Sequence, residues 1–505
     1  MNYYNSQAVK VGTIEQLLVD DHIVEDTWDL TRHVHQPLRH PIGPVLHADR
    51  PWEDGIRTCN VLYDQREGLY RMFYQSINIE AYQKYQNYGK AQRHPWNLAK
   101  HGTPKFVCYA ESHDGLHWDK PSLDGFGWRN YPKTNVVMPG HTRAQSPEVF
   151  WNSNQSDEQR RLIMLYRDTI NHTKPDARDG RCLAYSADGI HWTEDKDNPI
   201  TQGGSDGMQP ICWDPATKQW FCFCRPKVLT YDQRGSFRPP MGNTRRRMAV
   251  MTSPDLRTWS FPRTVIVPDE LDISTMCVEG ASAGFKWGSH FFAVVPISDH
   301  YGTQNFETQL AFSADGHHWN RLPDRPNYFE RGPEGSWDSH WAMPTCPPVE
   351  MGDQWLLYYI GAHKPVMRHS HSFFVSAVGV AVVPKGRLIG QFAGDRDGFL
   401  LTRELVVGGK FLDIHCERVA DRDGRPPCEI RVGLARRGGE ANNHRDLGYH
   451  DGFDLDDCEP MGMTSHALRV RWKGNADLGA LVGKSAYLRF YMRNVGLYSF
   501  RFTNQ

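Results

Sequence analysis

The stretch Ser112-His113-Asp114-Gly115-Leu116-His117-Trp118 returns in the frame Ser-x-Asp-x-x-x-Trp at Ser186–Trp192, Ser253–Trp259 and Ser313–Trp319. The Trp residues are 74, 67 and 60 positions apart. A frame kept at such spacing marks a repeat architecture, each copy being one supersecondary unit. Three copies carry Asp-Gly, a hairpin-turn signal, and the fourth carries Asp255-Leu256. Alternating runs such as Phe106-Val107-Cys108-Tyr109-Ala110 and Met248-Ala249-Val250-Met251 precede the turns. Each turn is therefore expected to join two strands, with its Trp packed between neighbouring units.

Upstream of each turn lie two more runs of strand character, for example Glu148-Val149-Phe150-Trp151 and Arg161-Leu162-Ile163-Met164-Leu165-Tyr166. Four antiparallel strands in about 65 residues describe a propeller blade. A fifth unit lacks the frame but keeps the strands, from Pro347-Pro348-Val349-Glu350 through Gln354–Tyr359 to Ser376–Val382. The reading is an all-β chain: a five-bladed β-propeller over about residues 40–395, an N-terminal segment 1–39 packing on it, and a C-terminal β-sandwich over 396–505. In that last part Phe411-Leu412-Asp413-Ile414 and Ala486–Tyr491 alternate without the repeat frame.

Composition narrows the function. The 505 residues carry 58 Lys+Arg against 59 Asp+Glu, a net charge of −1, where nucleic-acid binding calls for a basic face. No apolar run approaches the roughly 18–20 residues that span a bilayer. The 44 Gly, 32 Pro and 16 Trp suit short strands and tight turns. The 11 Cys form no CxxC pair and no zinc spacing, so they read as reduced thiols and no metal site is expected. Met1–Gln7 shows no basic-then-apolar leader, which predicts a cytoplasmic protein; a leader already removed would place it in the periplasm or outside. The sandwich face offers a surface for a homo-oligomer.

In a propeller the loops that lead into the innermost strands open at one end of the axis. Each unit has a carboxylate there: Glu53 and Asp54, Glu148, Asp206, Glu279 and Asp338. Converging carboxylates suit glycoside hydrolysis, which needs one as nucleophile or base and one protonated as acid. Trp52, Trp337 and Trp341 flank them and could stack on sugar rings, and His340 could bond a hydroxyl. A single acidic residue at a strand start is more often merely solvated; five in register are harder to dismiss.

At these residues the chain resembles the five-bladed propeller glycoside hydrolases of families 32, 43, 62 and 68, from about His40 to the C-terminus. The propeller-plus-sandwich order looks like family 32. Leu17-Leu18-Val19-Asp20-Asp21-His22 and Leu497-Tyr498-Ser499-Phe500 resemble bacterial family-32-like proteins. The resemblance implies a nucleophile or base at Asp54, with Glu53 as rival, and a transition-state-stabilising carboxylate at Asp206. It implies a general acid at Glu279, since Val278-Glu279-Gly280-Ala281 resembles the Glu-Gly-Pro motif of family 43. The family-32 strings Asn-Asp-Pro-Asn and Arg-Asp-Pro are themselves absent. The implied activity is hydrolysis of terminal, furanosidic bonds in oligo- or polysaccharides without a cofactor, a structural Ca²⁺ in the axis being seen in some related propellers.

Three alternatives compete. A non-catalytic carbohydrate-binding propeller would keep the Trp platform and lack the acid. A sialidase-like enzyme is disfavoured, because its turn box is one residue longer and it needs three arginines and a Tyr nucleophile. A glycoside phosphorylase would need a basic phosphate pocket. The densest basic run, Arg245-Arg246-Arg247, reads as a solvated loop face. Arg167-Asp168 ends a middle strand and competes weakly for the Asp206 role.

Overall fold

The computed structural model describes residues 7–84, 103–153, 156–170, 178–202, 210–226, 246–273, 277–299, 305–364, 376–419, 426–437 and 447–505. Two compact units emerge: residues 37–286 with 291–383, and residues up to 36 with 287–290 and 384–505. Asp206 and Arg245 lie outside the described residues.

The first unit is a β-propeller built of antiparallel sheets in chain order. The first sheet runs from Gly55–Asp64 through Leu69–Ile77 and Lys105–Ser112 to Val136–Met138. The next sheets begin with Gln145–Trp151, Ile211–Asp214 and Ala283–Trp287, and the last with Trp341–Pro344. The repeat frame sits where the third strand of a blade ends. In the second blade Ser186–Trp192 closes on itself: Ile190 N–H and His191 N–H donate to Asp188 Oδ1 at 2.8 Å, and the Trp192 indole donates to Gly189 O at 2.9 Å. The turn needs a left-handed residue, so Gly115, Gly189 and Gly316 lie at φ of +74 to +79°. The third blade has Leu256 there, at φ +64°.

Ring closure was not visible in the sequence. The outer strand of the last sheet is Leu38–Leu46, hydrogen-bonded antiparallel to Ser376–Pro384. Side chains of the first and last sheets, among them Val61, Tyr74, Leu356 and Val378, share one core. The inner strand of the last sheet also differs from expectation. Proline has no N–H for the ladder, so Pro347-Pro348 splits that edge into Trp341–Pro344 and Val349–Met351, both paired with Gln354–Ala362.

The second unit holds a seven-stranded and a six-stranded sheet around Ile414, Val432, Leu488, Phe490 and Phe500. Within the segment 1–39, residues up to 36 supply strands to this unit, and Leu38 and Arg39 open the closing strand of the propeller. Val24–Trp28 pairs with Gly398–Thr402, and Leu30–Val34 pairs with Ile389–Ala393. That second pairing also carries residues 389–393, assigned to the propeller by sequence, into the six-stranded sheet. Single residues in left-handed backbone let the chain step from one sheet to the other: Asp29 at φ +55° and Asn494 at φ +50°. Asp and Asn are the non-glycine residues that tolerate this region best.

Candidate active site

First strands begin, second strands end and third strands begin at one end of the propeller. Asp54 sits there because its N–H donates to Ile77 O at 2.9 Å, across the mouth of the first sheet. Its Oδ2 accepts the Ile79 N–H at 2.7 Å, at the start of the short helix 79–84. Oδ1 makes no hydrogen bond among the described residues, and the side chain is half-buried.

Glu279 is differently placed. Its Oε1 accepts from Arg246 at 2.6 Å, Ser298 Oγ at 2.9 Å and Cys277 Sγ at 2.9 Å, and its Oε2 accepts from Arg225 and Arg246, each at 2.5 Å. Two guanidinium groups and a hydroxyl suit an ionised carboxylate. That set opposes the expected role of proton donor and makes Glu279 a clamp that orients two arginines. Burial lowers the Arg225 pKa, the Glu279 charge offsetting part of it, whereas at Arg246 burial is the largest single cause but the charges and hydrogen bonds of Glu279 and Cys277 together outweigh it and raise the pKa. Arg246 thus leaves the solvated role assigned to its run.

Arg57 joins the same cluster from the first strand of the first blade. Burial pushes its guanidinium down to about 10, the Glu279 charge offsetting part of that. Its Cζ lies 5.0 Å from the centre of the Trp341 ring, which stacks on Phe306 at 5.0 Å between ring centres. Trp341 is 4% exposed and its indole N–H has no partner among the described residues. Lys105, at the start of the third strand, stands over the Tyr82 ring at 5.4 Å. Arg143 and Arg167 both reach Asp179, with Arg143 Nη2 and Arg167 Nε 3.2 and 3.1 Å from its Oδ1.

The other expected residues are drawn elsewhere. Glu53 is buried, ion-paired to Lys120 at 2.6 Å and bonded by the Tyr74 hydroxyl, so it no longer rivals Asp54. Trp52 is buried in the core and donates its indole N–H to Asn135 at 3.0 Å, which removes it as a sugar platform. Asp338 accepts from Arg39 at 2.7 Å, Ser336 and Tyr359, which ties the last sheet together. Trp337 stacks on Tyr359 at 5.5 Å. His340 bonds Asn305 at 3.2 Å, and burial with the Arg331 and His363 charges lowers its pKa. Asp168 accepts the N–H groups of His141, Thr142, Arg143 and Thr169 and serves to shape that loop.

Glu148 lies farther along the axis, where Asn60 Nδ2 donates to it at 2.9 Å. It lines a cavity of about 260 Å³ with Asn60, Ile211, Gly284, Pro347 and Glu350, from all the inner strands. Among the described carboxylates, Glu53, Glu148 and Asp338 are thus engaged apart from Asp54 and Glu279, and the described set does not form one ring. Among the described residues no group of three or more His, Cys, Asp or Glu side chains is placed to hold a metal ion.

No protein-family model and no curated protein matches the chain. Several solved structures are similar. One is the β-1,2-mannobiose phosphorylase from Listeria innocua in complex with β-1,2-mannobiose: 10% identity, TM-score 0.44, 69% of this chain and 97% of that one. Another is from the GH130 family of mannoside phosphorylases, which contains glycoside hydrolases that target beta-1,2 mannosidic linkages in Candida mannan: 13%, 0.41, 73% and 97%. A glycosyl hydrolase from Bacteroides ovatus gives 14%, 0.40, 75% and 95%. At that level of likeness the neighbours assign no reaction to this chain.

Proposed function

We propose that this protein is a carbohydrate-active enzyme that cleaves a glycosidic bond at the charged end of the propeller axis, with Asp54 as the group that gives the glycosidic oxygen its proton. The observation that carries this is Asp54 itself: fixed through its N–H and Oδ2, with Oδ1 uncommitted, at the start of the strand that carries Arg57, whose guanidinium feels the charges of Glu279 and Arg225 in the cluster that Glu279 holds with Arg225 and Arg246. In hydrolysis the proton moves from Asp54 to the leaving oxygen as the C–O bond breaks. Water adds to the anomeric carbon and yields its proton to a second carboxylate, for which Asp206 stays the candidate.

A second reading is phosphorolysis, favoured by the arginines around Glu279. Phosphate then replaces water as nucleophile, the sugar leaves as its 1-phosphate, and one protonated carboxyl suffices. The furanoside expectation draws no support from the site, so the substrate screen spans furanosides and pyranosides, each with and without phosphate.

Loss of one acid–base group costs typically 10²–10⁴-fold in rate. Asp54→Asn is expected to fall about that far in kcat with its melting temperature kept. Wild-type turnover in Asp54→Asn would remove Asp54 from the chemistry. Sugar binding by the native chain with no product in either buffer would return it to a binding propeller.

A further inference from the structure

Lys105 is the side chain this mechanism leaves unused. Its backbone places it firmly. Lys105 pairs with Ile77 at the mouth of the first sheet, and its carbonyl accepts the Ala144 N–H at 2.8 Å. That contact brings Arg143, the residue before, from the loop entering the second sheet. Arg167 follows from the second strand of that sheet, opposite Gln145. Arg57 comes from the first strand of the first sheet.

The Lys105 ammonium has no hydrogen-bond acceptor and no carboxylate partner among the described residues. Its electrostatic neighbours are all cations: Arg57, Arg143 and Arg167. Tyr82 lies beneath it, Asp179 holds Arg143 and Arg167 from behind, Asp168 holds the 141–143 backbone, and Glu279 acts on Arg57. Lys105, Arg57, Arg143 and Arg167 are each half-buried; gathering like charges in such a place is costly, and perturbed charged groups of this kind cluster at functional sites.

We infer that this corner of the funnel is an oxyanion subsite, in which Lys105 takes the charged group of a ligand, a carboxylate borne by a sugar unit or inorganic phosphate. The inference rests on the funnel being the active site and adds the chemical class of what enters it. Burial, then the charges of Arg57, Arg143 and Arg167, push the Lys105 ammonium down to about 7. At about pH 8 the side chain is therefore mostly a neutral amine. An oxyanion against it favours the ammonium again, so binding takes up as much as one proton.

The test is calorimetric titration of the full chain at about pH 8, in two buffers of different ionisation enthalpy. The probes are inorganic phosphate, glucuronate and galacturonate, with glucose as the neutral control. The expected result is that at least one oxyanion binds more tightly than glucose, with proton uptake that disappears near pH 6. Phosphate alone marks a co-substrate; a uronate alone marks an acidic sugar. Lys105→Met should weaken the binding oxyanion about tenfold or more and abolish proton uptake, whereas Lys105→Arg should bind without uptake. Thermal melts verify that both variants fold. Oxyanions binding no better than glucose, or unchanged binding in folded Lys105→Met, would overturn the subsite. The readout needs no turnover, so Asp54→Asn still binds, and the subsite can fail while the cleavage reading stands.

Discussion

Lys105 is held against its own charge, and that has a consequence for stability. Its folded pKa of about 7 lies below the ordinary value of 10.5, burial being the larger cause and the three arginines the next. The native state thus binds fewer protons than the unfolded chain between those values, and stability rises with pH across that window. Lys105→Met is expected to stabilise the apo-protein by on the order of 3 kcal/mol at pH 6, an advantage that fades between about 7 and 10.5. Chemical denaturation of both chains across that range checks it, and a pH-independent difference would contradict it. At this scale the sequence marks strand-start positions, which is how Asp54 and Glu279 came into view. It did not reveal what Glu279 does, because Arg246 and Arg225 reach it from 33 and 54 residues away. Lys105 opens an ordinary alternating run and carries no signal of its own.

The elements divide into those that local chemistry builds and those that need a distant partner. The Ser-x-Asp-x-x-x-Trp turn is local. Burial alone would raise the Asp188 pKa, but the His191 ring and N–H, the Ile190 N–H and Ser186 outweigh it and bring it down to about 2. A carboxylate with a folded pKa below 3.8 stabilises fully above that pH, and its contribution is lost as pH falls toward about 2. Asp188→Ala is expected to cost about 1 kcal/mol at neutral pH, kept small by exposure, and nothing below about pH 2. Equal losses at both pH values would mean that the residue acts by packing. The closing strand Leu38–Leu46 is the opposite case. Its Pro41, Gly43 and Pro44 break any strand pattern, and only the free edge of Ser376–Pro384 makes it a strand.

Over the whole molecule, the N-terminal segment carries weight beyond its length. Val11, Leu18, Ile23 and Val24 are buried in the core of the second unit. At about 1.5–3 kcal/mol each they contribute roughly 6–12 kcal/mol, comparable with the entire stability of a domain. A chain starting at Pro37 is therefore expected to lose the folded second unit, seen as rapid proteolysis across 384–505; a protease-resistant C-terminal half would refute it. Period-two alternation and the repeated turn determine the all-β class, the repeat and the blade turns from the sequence alone, because neighbours within a few residues make those bonds. The tertiary structure alone decides which strand closes the ring, where residues 7–36 pair and which charges meet in the funnel. Those contacts join segments tens to hundreds of residues apart, and a strand edge or a charge accepts many partners until packing selects one.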